Sequence, residues 1–177
     1  MANIKDLQLV VVDVETTGMR PDEGHSVIEI AGQKIQGEKL LATFDSLIRI
    51  PKPIPPEGQA IHGITDEMLA KSGRPALDVF NEFREFAKSC VLVGHNIGFD
   101  MSFINSEYSR LEQTCLENET LDTIALAKRY LIIPSYSLKN VAAYLKVPQP
   151  SSHRALADVD VTRQVLLKLI ERAKQEK

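Results

Sequence analysis

The chain has 177 residues, enough for one domain with a sizeable core. Hydrophobic residues make up 44% and charged residues 25%, which is ordinary for a globular chain, and no apolar run reaches the roughly 18 residues that read as a membrane span. The formal charge of −3 argues against a nucleic-acid partner held by electrostatics alone.

In chain order, Leu7 to Asp13 is a continuous apolar run and reads as a fully buried strand. The start MANIKDLQLVVV runs into Asp and Glu rather than a small-residue cleavage site, so no signal peptide is expected. Gly18 and Pro21-Asp22-Glu23-Gly24 form a turn. Val27 to Gln36 and Leu40 to Ile50 are strands, joined at Gly37-Glu38 as a hairpin. The proline-rich stretch from Pro51 to Gly58 is an irregular crossing. Thr65 caps a short helix to Ala70, and Ala76 to Lys88 is amphipathic, with Leu77, Phe80, Phe83 and Phe86 at helical spacing. Cys90 to Val93 is a short buried strand. Phe99 to Tyr108, Ile124 to Tyr130 and Ser137 to Leu145 are helical. A last helix runs from about Arg154 to Ala173, with Val161, Val165, Leu166, Leu169 and Ile170 as its buried stripe. Three strands followed by alternating strands and helices give an α/β layered fold in a single domain, 1–177. Cys90 and Cys115 are the only cysteines, which points to reduced thiols and a cytoplasmic chain.

The chemistry collects in three segments. In Asp13-Val14-Glu15-Thr16-Thr17-Gly18, two acids finish an apolar strand, and residues two apart on a strand share a face. Two unpaired carboxylates there repel each other unless a cation or donors compensate. Thr16, Thr17 and Gly18 form a turn with hydroxyls and backbone N–H groups suited to a phosphate or sugar. The second segment, His95-Asn96-Ile97-Gly98-Phe99-Asp100, places an acid in a first helical turn, where the helix dipole alone would also favour it. His95 reads as a satisfied structural histidine rather than a metal ligand. The third, His153-Arg154-Ala155-Leu156-Ala157-Asp158, sets His153 five residues before Asp158, about 140° apart within one helix. The two meet over one site only if His153 precedes the helix. Asp160 reads as part of a solvated face. Four acids removed from a charge of −3 leave the rest of the chain at +1, which softens the electrostatic objection to a polyanion.

In order and context these segments resemble the DEDD superfamily of 3′–5′ exonucleases, in the subgroup with a histidine general base. Among them the chain is most similar to the epsilon-type proofreading exonucleases of bacterial DNA polymerase III. The segment Ile61-His62-Gly63-Ile64-Thr65 also looks like the family's segment near the substrate's 3′ end. The resemblance spans roughly residues 7 to 172. It implies a ribonuclease-H-like fold, a mixed five-stranded sheet flanked by helices. It implies hydrolysis from the 3′ end of single-stranded DNA, releasing nucleoside 5′-monophosphates, with two divalent cations, Mg²⁺ or Mn²⁺. Asp13, Glu15, Asp100 and Asp158 would hold the cations and His153 would accept the proton. Ile61, His62, Asn96 and Phe99 would meet substrate with Thr16, Thr17 and Gly18. On residue chemistry alone His62 is equally a loop histidine, and Ile61 and Phe99 are equally core. Glu29, Lys139 and Arg154 stay open, the first as an outer residue of the site or surface, the other two as phosphate contacts. A 3′ trimming ribonuclease and a non-catalytic polymerase-associated module are the alternatives. The chain ends soon after its last helix, so no polymerase-binding tail is expected.

Overall fold

The structure, a computed structural model, describes residues 7–150 and 154–175. Five strands form one sheet in the order β3-β2-β1-β4-β5: β1 Gln8–Thr16, β2 Val27–Gln36, β3 Lys39–Leu47, β4 Val91–Gly94 and β5 Thr120–Asp122. β1, β2 and β3 form an antiparallel meander, while β4 and β5 run parallel to β1, so the sheet is mixed. The helices are α1 Pro56–His62, α2 Asp66–Ser72, α3 Ala76–Ala87, α4 Ile97–Arg110, α5 Thr123–Tyr130, α6 Leu138–Tyr144 and α7 Ala155–Gln175. A 3-10 turn covers Pro21–Glu23. Among the described residues no helix is long and apolar enough to cross a membrane.

Strand alternation sorts β1 between two cores. Val10, Val12 and Val14 point to the face covered by α3 and α4, where Phe80, Phe83, Phe103, Ile104 and Tyr108 are buried. Leu9 and Val11 point to the other face, against Ala155, Val159 and Leu166 of α7. A third cluster, with Val141, Ala142, Val161, Val165 and Leu169, packs α5 and α6 onto the rest of α7. Thr65 caps α2 by accepting from the Met68 N–H, and Ser137 caps α6 by accepting from the Asn140 N–H, both as the sequence suggests.

Four boundaries differ from expectation. β1 continues past Asp13 to Thr16, because pairing with β2 carries the ladder beyond the apolar run. Within the proline-rich crossing, Pro56 opens α1 instead of breaking it; at the first helical position its missing N–H costs nothing. β3 ends at Leu47 rather than Ile50. β5 is a three-residue strand that exists only through its pairing with β4.

Candidate active site

The alternation that buries Leu9 and Val11 under α7 carries on to Asp13 and Glu15. Both acids therefore face the first turn of α7, where Asp158 lies three residues after the helix begins. One carboxylate oxygen from each of Asp13, Glu15 and Asp158 lies within 4.8 Å of the others. Among the described residues no other group of three His, Cys, Asp or Glu side chains comes together in this way.

Asp100 approaches the same strand end from the opposite layer. β4 ends at Gly94, where a Cβ would sit 2.8 Å from Ile97 Cδ1, so only glycine allows α4 to start so soon after the strand. Asn96, at φ 73°, completes that turn. Asp100 then falls in the first turn of α4 with 3% exposure, and its Oδ1 accepts the Val14 N–H at 3.1 Å. Its role in the helix is thus more than a response to the dipole: the carboxylate is tied to β1 between the two acids. It is not one of the three whose oxygens converge within 4.8 Å.

The electrostatics record the crowding. Burial, then the carboxylates of Asp100, Glu15 and Asp158, hold the Asp13 carboxyl well above the usual range. Burial, then Asp158 and Glu29, push Glu15 up to about 7, against the opposing charge of Arg154. Burial pushes Asp100 up to about 8, with the backbone N–H bonds it accepts opposing. The carboxylates of Asp13, Glu15 and Asp158 are hard oxygen donors suited to a divalent cation, which would favour the charged forms of Asp13 and Glu15.

Glu29 and Arg154 turn out to be partners. Glu29 is 1% exposed and accepts from Arg154 Nε on both oxygens at 3.0 Å, from Arg154 Nη2, and from the Ala155 N–H at 3.0 Å. Glu29 is therefore not a surface residue, and the guanidinium of Arg154, partly exposed, is held by it through Nε and Nη2. His95 is satisfied at both nitrogens, by Thr123 Oγ1 and the Tyr136 carbonyl, each at 2.8 Å, as a structural histidine should be. Asp160 pairs with Arg163 at 2.7 Å on the partly exposed side of α7.

The turn after β1 is less open than its sequence suggests. The Thr17 N–H donates to the Ser26 carbonyl, and its hydroxyl accepts the Ser26 N–H, both at 3.0 Å. Thr16 Oγ1 donates to the Gly18 carbonyl at 2.6 Å. Gly18 itself has the His25 ring against it, 2.4 Å from where a Cβ would stand. The Thr17 hydroxyl and N–H tie the loop to Ser26, just before β2, and the Thr16 hydroxyl closes the turn on itself, which sequence proximity alone could not reveal. Ile61 is 64% exposed at the end of α1. Its neighbour His62 is buried, with Nδ1 accepting the Ile64 N–H at 3.0 Å. The proton of a neutral ring then sits on Nε2, which is buried with no hydrogen-bond partner. Burial lowers the His62 pKa, so this neutral form dominates. Asn96 is exposed, with its N–H bound to Asp122 Oδ1, while Phe99 is partly buried against Phe103 at 5.0 Å between centroids. His153 lies outside the described residues.

The family model described as exonuclease (RNase T) matches residues 10–166. A DNA polymerase III of the PolC type from Thermotoga maritima is 37% identical over 170 residues, covering 96% of this chain and 12% of that protein. A DNA polymerase III subunit epsilon-like protein from Rhodobacter capsulatus is 34% identical, covering 93% of this chain and 24% of that protein. The chain thus spans about an eighth to a quarter of these two relatives. Among solved structures, exonuclease X in complex with 5′-overhanging duplex DNA has a TM-score of 0.74 at 27% identity, covering 94% of this chain and 93% of that one. Exonuclease I has a TM-score of 0.85 at 16% identity, over 96% of this chain and 42% of that one, a likeness of fold.

Proposed function

The chain belongs to the exonuclease family, as a 3′–5′ exonuclease of the DEDD type, and from that premise we propose that it removes nucleotides from the 3′ end of single-stranded DNA, releasing nucleoside 5′-monophosphates. The observation that supports this most is the meeting of Asp13, Glu15 and Asp158 within 4.8 Å, from a strand and a helix far apart in sequence. These three acids, with Asp100, would hold two divalent cations, Mg²⁺ or Mn²⁺. When bound, the cations supply a water of lowered pKa and positive charge to offset the phosphoryl oxygens.

The remaining work falls to the chain's own side chains. His153 is the proposed general base that takes the proton of the attacking water. The water oxygen bonds to phosphorus, the bond from phosphorus to the 3′ oxygen of the preceding nucleotide breaks, and that oxygen takes a proton from solvent to leave as a 3′ hydroxyl. Exposed Ile61 packs on the terminal base, and its neighbour His62 belongs to the same segment at the substrate's 3′ end. Asn96, Phe99 and the Thr16-Thr17-Gly18 loop border the same strand end. The chain is read as a single exonuclease domain serving proofreading or repair, and its likeness to PolC-type and epsilon-like proteins supports work beside a polymerase.

The test is degradation of matched DNA and RNA oligomers labelled at the 5′ end, with Mg²⁺, Mn²⁺ or a chelator. A ladder shortening from the 3′ end, faster on DNA and abolished by chelation, is expected. A faster RNA ladder would move the substrate to RNA, and no shortening with either metal would sink the exonuclease reading.

A further inference from the structure

We propose that Glu29 is a positioning residue for the nuclease reaction: with Arg154 it clamps the start of α7, and so sets where Asp158 stands, without touching substrate or cation. The inference rests on the exonuclease reading and deepens it.

Glu29 lies in β2 between Ile28 and Ile30, both fully buried, and directly opposite Glu15 in the antiparallel register. A buried carboxylate facing another carboxylate is a poor choice for folding alone. Replacing a buried ion pair by well-packed apolar side chains is often neutral or stabilising. What Glu29 gains is directed entirely at one place. Each of its hydrogen bonds reaches Arg154 or Ala155, where α7 begins. Ala155 N–H is among the first amides of a helix, which have no partner within it, and a carboxylate from another element fills that role. The fork of Arg154 fixes orientation as well as distance.

From there the connection to the chemistry is short. The Arg154 carbonyl accepts the N–H of Ala157 at 2.9 Å and of Asp158 at 3.0 Å. A displacement of Arg154 therefore moves the first turn of α7 and the carboxylate that meets Asp13 and Glu15. Engaged by Glu29, Arg154 is also kept from settling among the three acids in place of a cation.

The clamp is tested on the full chain with Glu29→Gln, Arg154→Lys, Arg154→Gln and the double variant Glu29→Gln/Arg154→Gln. Steady-state kinetics on single-stranded DNA are read beside the rise in melting temperature that Mn²⁺ produces, which needs no turnover. Glu29→Gln should lower kcat about 10–100-fold and weaken the Mn²⁺ response by a similar factor, the scale found for partners that orient metal ligands. KM should change little, since no substrate contact is lost. Arg154→Lys should recover part of what Arg154→Gln loses, and the double variant should be no worse than the poorer single one, as for two residues acting as a unit. Unchanged kcat and Mn²⁺ response in folded variants would overturn the clamp. So would a loss confined to KM in the Arg154 variants, which would place that guanidinium on the substrate. If Glu29→Gln fails to fold, Arg154→Lys decides the question alone. An inactive wild type defeats the exonuclease reading instead, and the Mn²⁺ melts still decide the clamp.

Discussion

Glu15 and Glu29 stand opposite each other on neighbouring strands, yet they live in different electrostatic worlds. Glu29 is compensated from within the protein by a guanidinium and a helix N–H. Glu15 faces Asp13 and Asp158, and only the flank of Arg154 opposes their repulsion. The fold can satisfy a buried acid when it chooses to. Crowding Asp13, Glu15 and Asp158 within 4.8 Å, close to that compensated pair, fits a group meant to share a cation.

The contrast breaks most sharply at Asp13. Asp13→Asn and Asp158→Asn should each cost nuclease activity on the order of 10³-fold or more, the scale of removing a main electrostatic group from a transition state. Their melting temperatures should hold or rise, because like-charge repulsion is relieved. A variant with near wild-type activity in Mg²⁺ would show that its acid is no ligand.

Next in size is His153→Ala, expected to lower kcat by about 10²–10⁴-fold with little change in metal-dependent melting. The wild-type rate should also fall as pH drops through the histidine's pKa, and the variant should lose that acidic limb. Retention of both rate and limb would move the base elsewhere.

Glu29→Ala should act with the opposite sign to Asp13→Asn on stability. It strands the Arg154 guanidinium and the Ala155 N–H, and the cost should be about 1–3 kcal/mol in denaturant unfolding. A stabilised Glu29→Ala would erase the distinction between the two kinds of acid.

Metal and pH together sharpen it further. Glu15 and Asp100 titrate near 7 and 8 in the folded chain, above their unfolded values of 4.5 and 3.8. The folded state then holds more protons than the unfolded one across that window. The stability these groups contribute is fully present below about pH 4 and is lost as pH rises through 7 to 8. Mn²⁺ favours the ionised acids, so its stabilisation should grow over the same window. Melts from pH 5 to 8 with and without Mn²⁺ check both slopes, and a flat metal-free curve would count against the raised values. The smallest effect is a control: Thr65→Ala removes the cap of α2 and should cost about 1 kcal/mol with no change in kcat.

Much of this was legible in the sequence because the relevant signals are local. An apolar run that ends in Asp-x-Glu fixes both the buried strand and the face of its acids. Gly94 before a helical pattern fixes the turn that presents Asp100. Unreadable features depend on residues distant in the chain. β5 is three residues of middling polarity and needs β4 beside it. Glu29 and Arg154 are 125 positions apart, so each looked like a solitary charge. The hydroxyls after β1 looked available because Ser26, which takes Thr17, lies across a turn of unknown path. His62 looked like a loop residue because the proline-rich stretch hid a helix that buries it.

The topology also sets a schedule. β1, β2 and β3 pair with immediate sequence neighbours, and this meander can form as soon as it leaves the ribosome. β4 and β5 must then add to the other edge of β1, and α7 comes last, bringing Asp158. A nascent chain that lacks α7 cannot assemble the three carboxylates, so the nuclease stays silent until that helix has emerged. Stalled ribosomal complexes of increasing chain length, assayed on labelled DNA, should remain inactive until α7 has cleared the exit tunnel.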